Sequence, residues 1–156
     1  MELHGEYRIE ARDAATGALL WEKRLCNLLT NVSQTVRLQQ LAGTYTAGND
    51  YLAIKYFAIG VGTSAPTVED RQLENERYRK QVTSFNEIAP GVLQTTVSLG
   101  ATEANWTIRE IGVFCGEDAT NEANTGLLLS RVAVNIEKNT NMVLNIVRTD
   151  TCLINT

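Results

Sequence analysis

The sequence predicts a mainly β protein, an antiparallel β-sandwich of about eight strands, rich in hairpins, with one short α-helix covering a sheet. Short segments alternate apolar and polar residues, turn-forming residues separate them, and helical periodicity occurs in one place. A chain of 156 residues with 44% hydrophobic residues is long enough to form a substantial core. We therefore expect a single sandwich domain spanning residues 1–156.

An N-terminal β-hairpin is predicted over residues 5–26. The segments at residues 7–11 and 19–25 both alternate apolar and polar side chains. Between them, Asp13 has a side chain suited to binding its own backbone, and Gly17 is suited to a positive φ. These two residues indicate the turn of the hairpin.

Helical spacing follows the hairpin and predicts a helix over residues 31–43. Its apolar stripe consists of Val32, Val36, Leu38, Leu41 and Ala42. Asn31 is the expected N-cap, and Gln34 is placed to complete a capping box. Gly43 is the expected C-terminal stop. We expect this helix to cover a face of a sheet.

The core of the sandwich is predicted over residues 51–154. Its strands are expected at residues 51–59, 77–85, 91–100, 105–114, 127–136 and 142–154. The second and third of these strands are expected to pair as a hairpin, because Pro90 and Gly91 mark a turn.

Residues 105–114 are expected to form a central strand. They contain no proline, are rich in aromatic and β-branched residues, and are apolar on both faces, so both faces should be covered. Alternation places Arg109 on one face and Glu110 on the other, with Trp106, Ile108, Gly112 and Phe114. A carboxylate on an apolar face needs partners to stay ionised. We expect Glu110 to accept hydrogen bonds from backbone N–H groups or from an arginine, Arg79 or Arg131.

Three further expectations concern this central strand and its neighbours. Gly112 should allow backbone or a bulky side chain to approach closely. Glu110→Ala should unfold or misassemble the protein rather than only abolish an activity. Because one short helix cannot cover both faces of the central strands, we expect partner chains to supply the remaining cover.

Composition excludes several classes of function. The net charge is −4, with 14 basic and 18 acidic residues, whereas nucleic-acid binding usually requires a basic excess. No apolar stretch approaches the roughly 20 residues that span a bilayer, so no membrane insertion is expected. The N-terminus lacks the pattern of a signal peptide, which indicates synthesis and assembly in cytoplasm. The three cysteines are widely separated and odd in number, which disfavours a disulfide framework.

No catalytic, metal or cofactor site is predicted, and we expect the protein not to be an enzyme. His4 is the only histidine, so a Ser-His-Asp site would depend on a terminal residue. Gly60, Gly62 and Ala65 formally match a dinucleotide fingerprint, but Pro66 and a polar segment follow in place of a crossover helix. These glycines are expected to serve a tight strand exit. The acidic residues at 69–76 lack calcium-loop spacing and are interpreted as a solvated loop.

Five short motifs occur in an order that resembles a group of tailed-bacteriophage structural proteins. They are NLLTN at residues 27–31, YFAIGVGTSAP at 56–66, LENERYRK at 73–80, IREIGVF at 108–114 and GLLLSR at 126–131. The chain is similar to the N-terminal, virion-attaching modules of tail and tail-collar fibre proteins, in which an (A/I)GxGTxxP loop, an E.YR segment and an IREIGLF strand recur in this order. Val113 departs from the leucine that is common in the last motif.

The resemblance implies a non-enzymatic virion component that is assembled in the host cytoplasm through contacts with tail, baseplate, fibre or capsid proteins. Because the central strands need further cover, we also expect a homo-oligomer, either symmetric or templated by the virion. Because the chain stops at Thr156 without a repetitive shaft, we expect an adaptor, a tail or baseplate subunit, or a head-decoration protein rather than a receptor-binding fibre. A capsid decoration or head-fibre protein is the first alternative, and a carbohydrate-binding sandwich domain is the second.

The loops at residues 60–76 and 116–125 are the candidate interfaces, because contacts on a rigid sandwich concentrate in long polar loops. The candidate structural and interface residues are Gly60, Gly62, Pro66, Tyr78, Arg79, Arg109, Glu110, Gly112, Phe114 and Arg131.

Overall fold

A computed structural model describes residues 2–42 and 52–153. Within these residues the chain forms ten β-strands and one α-helix. In chain order the elements are β1 (Glu2–Asp13), β2 (Leu19–Cys26), β3 (Leu28–Leu29), α1 (Asn31–Leu41), β4 (Ile54–Gly60), β5 (Glu76–Gln81), β6 (Ser84–Ala89), β7 (Val92–Leu99), β8 (Thr107–Cys115), β9 (Leu127–Glu137) and β10 (Met142–Leu153). The strands form two antiparallel five-stranded sheets, so the predicted mainly β class with one short helix is confirmed and is consistent with a β-sandwich.

The chain divides into two compact units. The first comprises Met1–Asn27, Val82–Thr107 and Glu137–Thr156, and its sheet has the strand order β2-β1-β10-β7-β6. The second comprises Leu28–Gln81 and Ile108–Ile136, and it contains α1 and the sheet β3-β9-β8-β4-β5. The single domain over residues 1–156 stays a prediction.

The N-terminal hairpin of the first unit is confirmed. Asp13 Oδ1 accepts hydrogen bonds from the backbone N–H groups of Ala15 and Thr16, at 3.1 and 2.8 Å, and Gly17 has a φ of 74°. β1 also pairs with β10 along its whole length, from Glu2 opposite Leu153 to Asp13 opposite Met142. β1 therefore lies inside its sheet, between β2 and β10.

A buried charged pair lies within this first sheet. Arg148 is fully buried, and its Nη2 donates to Asp150 Oδ1 at 2.6 Å. The guanidinium also lies over the Tyr7 ring, 5.8 Å from the ring centroid. Since Tyr7 is directly opposite Arg148 in the β1–β10 register, this contact follows from strand pairing.

In the second unit, the predicted central position of residues 105–114 is confirmed. β8 is the middle strand of five, between β9 and β4, although it begins at Thr107 rather than at residue 105. Residues 110–115 are all buried, as expected for a strand covered on both faces.

The interpretation of residues 77–85 as one strand is wrong. β5 ends at Gln81 and pairs with β4, whereas β6 begins at Ser84 and pairs with β7 in the other sheet. The predicted hairpin is therefore β6–β7. Neither glycine nor proline marks residues 82–83, where the chain passes from one sheet to the other, so no turn signal indicated the break.

Helix α1 departs from prediction at its N-terminal cap. Thr30, not Asn31, is the N-cap, and its hydroxyl oxygen accepts the backbone N–H of Ser33 at 3.3 Å. The same hydroxyl donates to Leu128 O at 2.5 Å, so contact with β9 selects Thr30 as the cap. The expected apolar stripe is buried only in part, because Leu38 and Leu41 are 65% and 70% exposed.

Some expectations fall on residues outside the described part of the chain. These are the helix stop at Gly43 and the positions of Tyr51 and Ile154 at the ends of two predicted strands.

Candidate functional site

The candidate site lies on the face of the second sheet that carries Glu110, Gly112 and Phe114 of β8. Two segments of the same unit lie over this face: the 60–76 loop, which connects β4 to β5, and the 116–125 loop, which follows β8. A buried ion pair holds each loop on the sheet, and apolar side chains pack between the two pairs.

Glu110 is fully buried and accepts four hydrogen bonds. Its Oε1 receives the backbone N–H groups of Gly62 and Asn75 at 3.0 and 2.8 Å. Its Oε2 receives the backbone N–H of Glu74 at 3.1 Å and Nε of Arg131 at 2.8 Å. The expectation that backbone donors and an arginine would satisfy this carboxylate is confirmed, and the arginine is Arg131.

Arg131 on β9 connects Glu110 to the outer part of the 60–76 loop. Its Nη1 donates to Asp70 Oδ2 at 2.9 Å, and its Nη2 donates to Ser64 O at 3.0 Å. Burial lowers the pKa of Arg131, but its hydrogen bonds to Asp70 and Glu110 outweigh burial and raise that pKa overall. Arg131 is therefore a permanent cation that links Glu110 on β8 to the 60–76 loop.

Asp70 completes this first ion cluster. Burial raises its pKa, but hydrogen bonds from the Thr67 backbone and from Arg131 lower that pKa more, so the net direction is downward. The Asp70 side chain is 20% exposed. The sequence interpretation of the acidic segment as solvated is therefore wrong for Asp70, although the Glu74 side chain is 45% exposed as expected.

Gly60 and Gly62 make room for the Glu110 carboxylate. A Cβ atom on Gly60 would lie 2.5 Å from Glu110 Oε1 and 2.6 Å from Asn75 O. A Cβ atom on Gly62 would lie 2.5 Å from the same Oε1. These glycines, which formally match a nucleotide fingerprint, thus bring backbone close to an anion that the chain itself supplies.

Leu73 holds the 60–76 loop by apolar packing. It is fully buried and packs with Ala58, Phe114, Ala119 and Leu128. A Cβ atom on Gly112 would lie 2.7 Å from Leu73 Cδ2, so the predicted close approach of a bulky side chain to Gly112 is confirmed. This cluster takes residues from both loops.

A second ion pair holds the 116–125 loop. Arg79 on β5 is 2% exposed in its side chain, and its Nε donates to Glu76 Oε1 at 2.6 Å. Its Nη1 donates to the carbonyl oxygens of Thr120 and Thr125, at 2.8 and 3.0 Å. The guanidinium also lies 4.4 Å from the centroid of the Phe114 ring, a cation–π distance.

Glu76, the other member of this ion pair, also binds the 116–125 loop. Its Oε2 accepts the Asn124 backbone N–H at 2.8 Å, and Asn124 has a φ of 57°. The Glu76 side chain is only 1% exposed, so the interpretation of a solvated acidic residue is wrong here too. Arg79, one of the two expected partners of Glu110, pairs instead with Glu76.

A cavity of about 370 Å³ lies between the two loops. The 60–76 loop contributes Arg71, the 116–125 loop contributes Glu117 and Asp118, and α1 contributes Val32. Charged residues of both signs therefore meet in one concave surface.

The ten predicted residues separate into three groups. The first ion cluster contains Gly60, Gly62, Glu110 and Arg131. The second ion pair, and the packing between it and the first cluster, involve Arg79, Phe114 and Gly112. Arg109 is exposed, while Pro66 and Tyr78 are partly buried outside both clusters.

Sequence reasoning missed Asp70, Glu76 and Leu73 as structural residues. Asp70 precedes its partner Arg131 by 61 residues, so no local pattern identified the pair. The argument that partner chains must cover the central strand is also wrong for this face, since the chain's own loops cover it.

The fold and these loops define a class: a β-rich module built from short strands and from loops held by internal ion pairs. Residues 24–123 match the family model described as phage tail-collar fibre protein, N-terminal, and the chain belongs to that family. It is accordingly a structural tail-fibre component of the virion. Searches of curated proteins and of solved structures found no match. No helix within residues 2–42 and 52–153 is long and apolar enough to cross a membrane.

Proposed function

We propose that this protein is a non-enzymatic attachment module, an adaptor at the base of a tail fibre or in a baseplate, which acts through contacts with other virion proteins and with further copies of itself. We also propose that it is assembled in the host cytoplasm. The observation that carries the proposal is that two long polar loops of a tail-fibre family member are each held on the sheet by a buried ion pair.

The state of Glu110 supports a structural role. General acid–base catalysis requires a carboxylate that can reach a substrate proton. Glu110 instead accepts four hydrogen bonds from its own chain and is fully buried. The Glu110 carboxylate therefore serves to position the 60–76 loop.

Rigid loops favour stable assembly. Ordering a mobile loop on binding costs free energy, and a loop held in place before binding avoids that cost. In the 116–125 loop, Arg79 and Glu76 bind backbone groups, while the side chains of Glu117, Asp118 and Glu122 remain exposed. We therefore propose that the exposed parts of the two loops, together with the cavity between them, contact the neighbouring virion protein.

The test is incorporation into particles. Virions would be produced with the double variant Glu117→Lys/Asp118→Lys, and with Glu22→Lys as a matched charge reversal on β2. We expect the double variant to be reduced at least tenfold in purified particles and the control to be incorporated normally, with unchanged unfolding midpoints for both proteins. Normal incorporation of the double variant would overturn the proposed contact surface.

Immunogold electron microscopy of the same particles tests the location. Label at the tail tip or at the fibre base is expected. Label on the capsid would replace the tail assignment with a head-fibre role, and protein absent from particles would overturn the proposal altogether.

A further inference from the structure

A group of polar side chains lies on one face of the first sheet. Arg148 and Asp150 are two residues apart on β10, so their side chains share that face. Thr95 on β7 lies directly opposite Arg148, and Gly5 on β1 lies directly opposite Asp150. Asn27 follows β2, and its backbone N–H donates to Gly5 O at 3.1 Å. These residues therefore come from β7, β10, β1 and the end of β2, in two neighbouring rows of the sheet.

Several buried atoms of this group are unpaired. In residues 2–42 and 52–153, seven buried side-chain atoms have no hydrogen-bond partner, and four of them belong to this group. They are Asp150 Oδ2, Thr95 Oγ1, and both Oδ1 and Nδ2 of Asn27. Thr95 is fully buried, and Asp150 is 8% exposed. Because unpaired buried polar atoms are costly, native proteins pair them with protein groups or with ordered water.

The Asn27 amide and the Asp150 carboxylate are neighbours without a direct hydrogen bond. A Cβ atom on Gly5 would lie 2.3 Å from Asn27 Oδ1 and 2.4 Å from Asn27 Nδ2, so the amide lies over Gly5. Asp150 is the residue on the next strand in the same row. Gly5 has no side chain to separate the two groups. Polar groups that face each other beyond hydrogen-bond distance are often bridged by water.

The charges of the group favour a neutral ligand. Arg148 Nε and Nη2 donate to Asp150 Oδ1 at 3.1 and 2.6 Å, so the two charges compensate each other. Burial lowers the pKa of Arg148, but Tyr7 and Asp150 raise that pKa more, and the guanidinium stays charged. A metal ion would add a second cation beside Arg148, and an anion would meet the Asp150 carboxylate. The ligand must also both donate and accept hydrogen bonds, as water does.

We propose that this group binds an internal water molecule, which donates to Asp150 Oδ2 and accepts from the Thr95 hydroxyl and from Nδ2 of Asn27. Three hydrogen bonds are typical of a buried water molecule. The water joins β7, β10 and the end of β2, and it completes the polar group around Arg148. The inference does not depend on the proposed attachment role.

The first test is the direction of a stability change. Thr95→Val replaces the hydroxyl with a methyl group of similar size. If the hydroxyl binds water, the urea midpoint of unfolding should fall; if the hydroxyl is simply unpaired, its removal should raise the midpoint. Thr96→Val is the matched control on the other face of β7, and its midpoint should be unchanged or higher. A midpoint for Thr95→Val that is unchanged or raised would overturn the proposal.

The second test detects the water in the unaltered chain. Water-selective NOESY and ROESY spectra of the ¹⁵N-labelled protein should show an NOE from water to the side-chain amide protons of Asn27, with the sign of the protein's own NOEs. That sign identifies water that stays bound. The side-chain amide of Asn86, an exposed residue on β6, is the control and should give no such NOE. Absence of the NOE at Asn27 would refute the proposed water site.

Discussion

Arg131 Nε and Glu110 Oε2 lie 2.8 Å apart, and the two side chains are 3% and 1% exposed. Glu110 also holds three backbone N–H groups of the 60–76 loop, so the pair connects two strands to that loop. Removal of either partner would leave a buried charge with fewer compensating contacts. The stability of the loop and that of the sheet are therefore coupled through one carboxylate.

Glu110→Ala is expected to lower the free energy of unfolding by roughly 3–5 kcal/mol, the usual cost of removing one partner of a buried ion pair. Urea unfolding followed by circular dichroism would measure this change. Arg109→Ala is the control, because Arg109 is the preceding residue on the same strand and is exposed; a change within about 0.5 kcal/mol is expected. Equal effects of the two variants would contradict the role assigned to Glu110.

Arg79→Ala is expected to release the 116–125 loop, because Arg79 donates to two carbonyl oxygens in that loop and pairs with Glu76. Limited proteolysis followed by mass spectrometry should show new cleavage between residues 116 and 125. Arg77→Ala removes a neighbouring exposed arginine that donates to Asn75, and it should leave the digestion pattern unchanged. Protection of the loop in the Arg79 variant would refute the proposed anchoring.

Three glycine substitutions should differ in a defined order. Gly60→Ala should be the most destabilising, since its Cβ would lie 2.6 Å from a backbone oxygen that cannot move aside alone. Gly112→Ala should cost about 1–3 kcal/mol, because the flexible end of Leu73 can shift. Gly100→Ala meets only Glu103 Oε2 at 3.5 Å and should be nearly neutral. Urea midpoints in any other order would contradict the packing described here.

The first ion cluster should also make stability depend on acid pH. The pKa of Asp70 is lowered below its ordinary value of 3.8, so the unfolded chain binds this proton more tightly than the folded chain. The resulting stabilisation is fully present above pH 3.8 and is lost as pH falls through the lower folded pKa. Asp70→Asn should therefore reduce the loss of unfolding free energy between about pH 5 and pH 2, measured in urea. If Asp70→Asn left the change of unfolding free energy between these pH values unaltered, the assigned role of Asp70 would be contradicted.

Alternation and desolvation were sufficient to predict the kinds of partner that Glu110 has, but not which of two arginines binds it. Both follow from local chemistry: period two places the carboxylate among apolar side chains, and burial then requires donors. The partners of Arg79 and Asp70 could not be found in this way. Their contacts join segments that are brought together only by strand pairing. In addition, the acidic composition of residues 69–76 is compatible with either burial or exposure of each carboxylate.

Element boundaries were predicted where turn chemistry marks them. Asp13 and Gly17 identified the first hairpin, whereas residues 82–83 carry no such signal. At the helix start, Thr30 and Asn31 are both good caps, so propensity did not distinguish them. A hydrogen bond from Thr30 to Leu128, 98 residues away, decided the position.

The pairing of β1 with β10 has a consequence for biosynthesis. β1 ends at residue 13 and β10 begins at residue 142, so the ribosome completes one strand long before it makes the other. At about 5–20 residues per second the delay is on the order of ten seconds. During this interval β10 is missing, and β10 is the strand that lies between β1 and β7 in the finished sheet. A chain interrupted before β10 therefore cannot complete its first sheet.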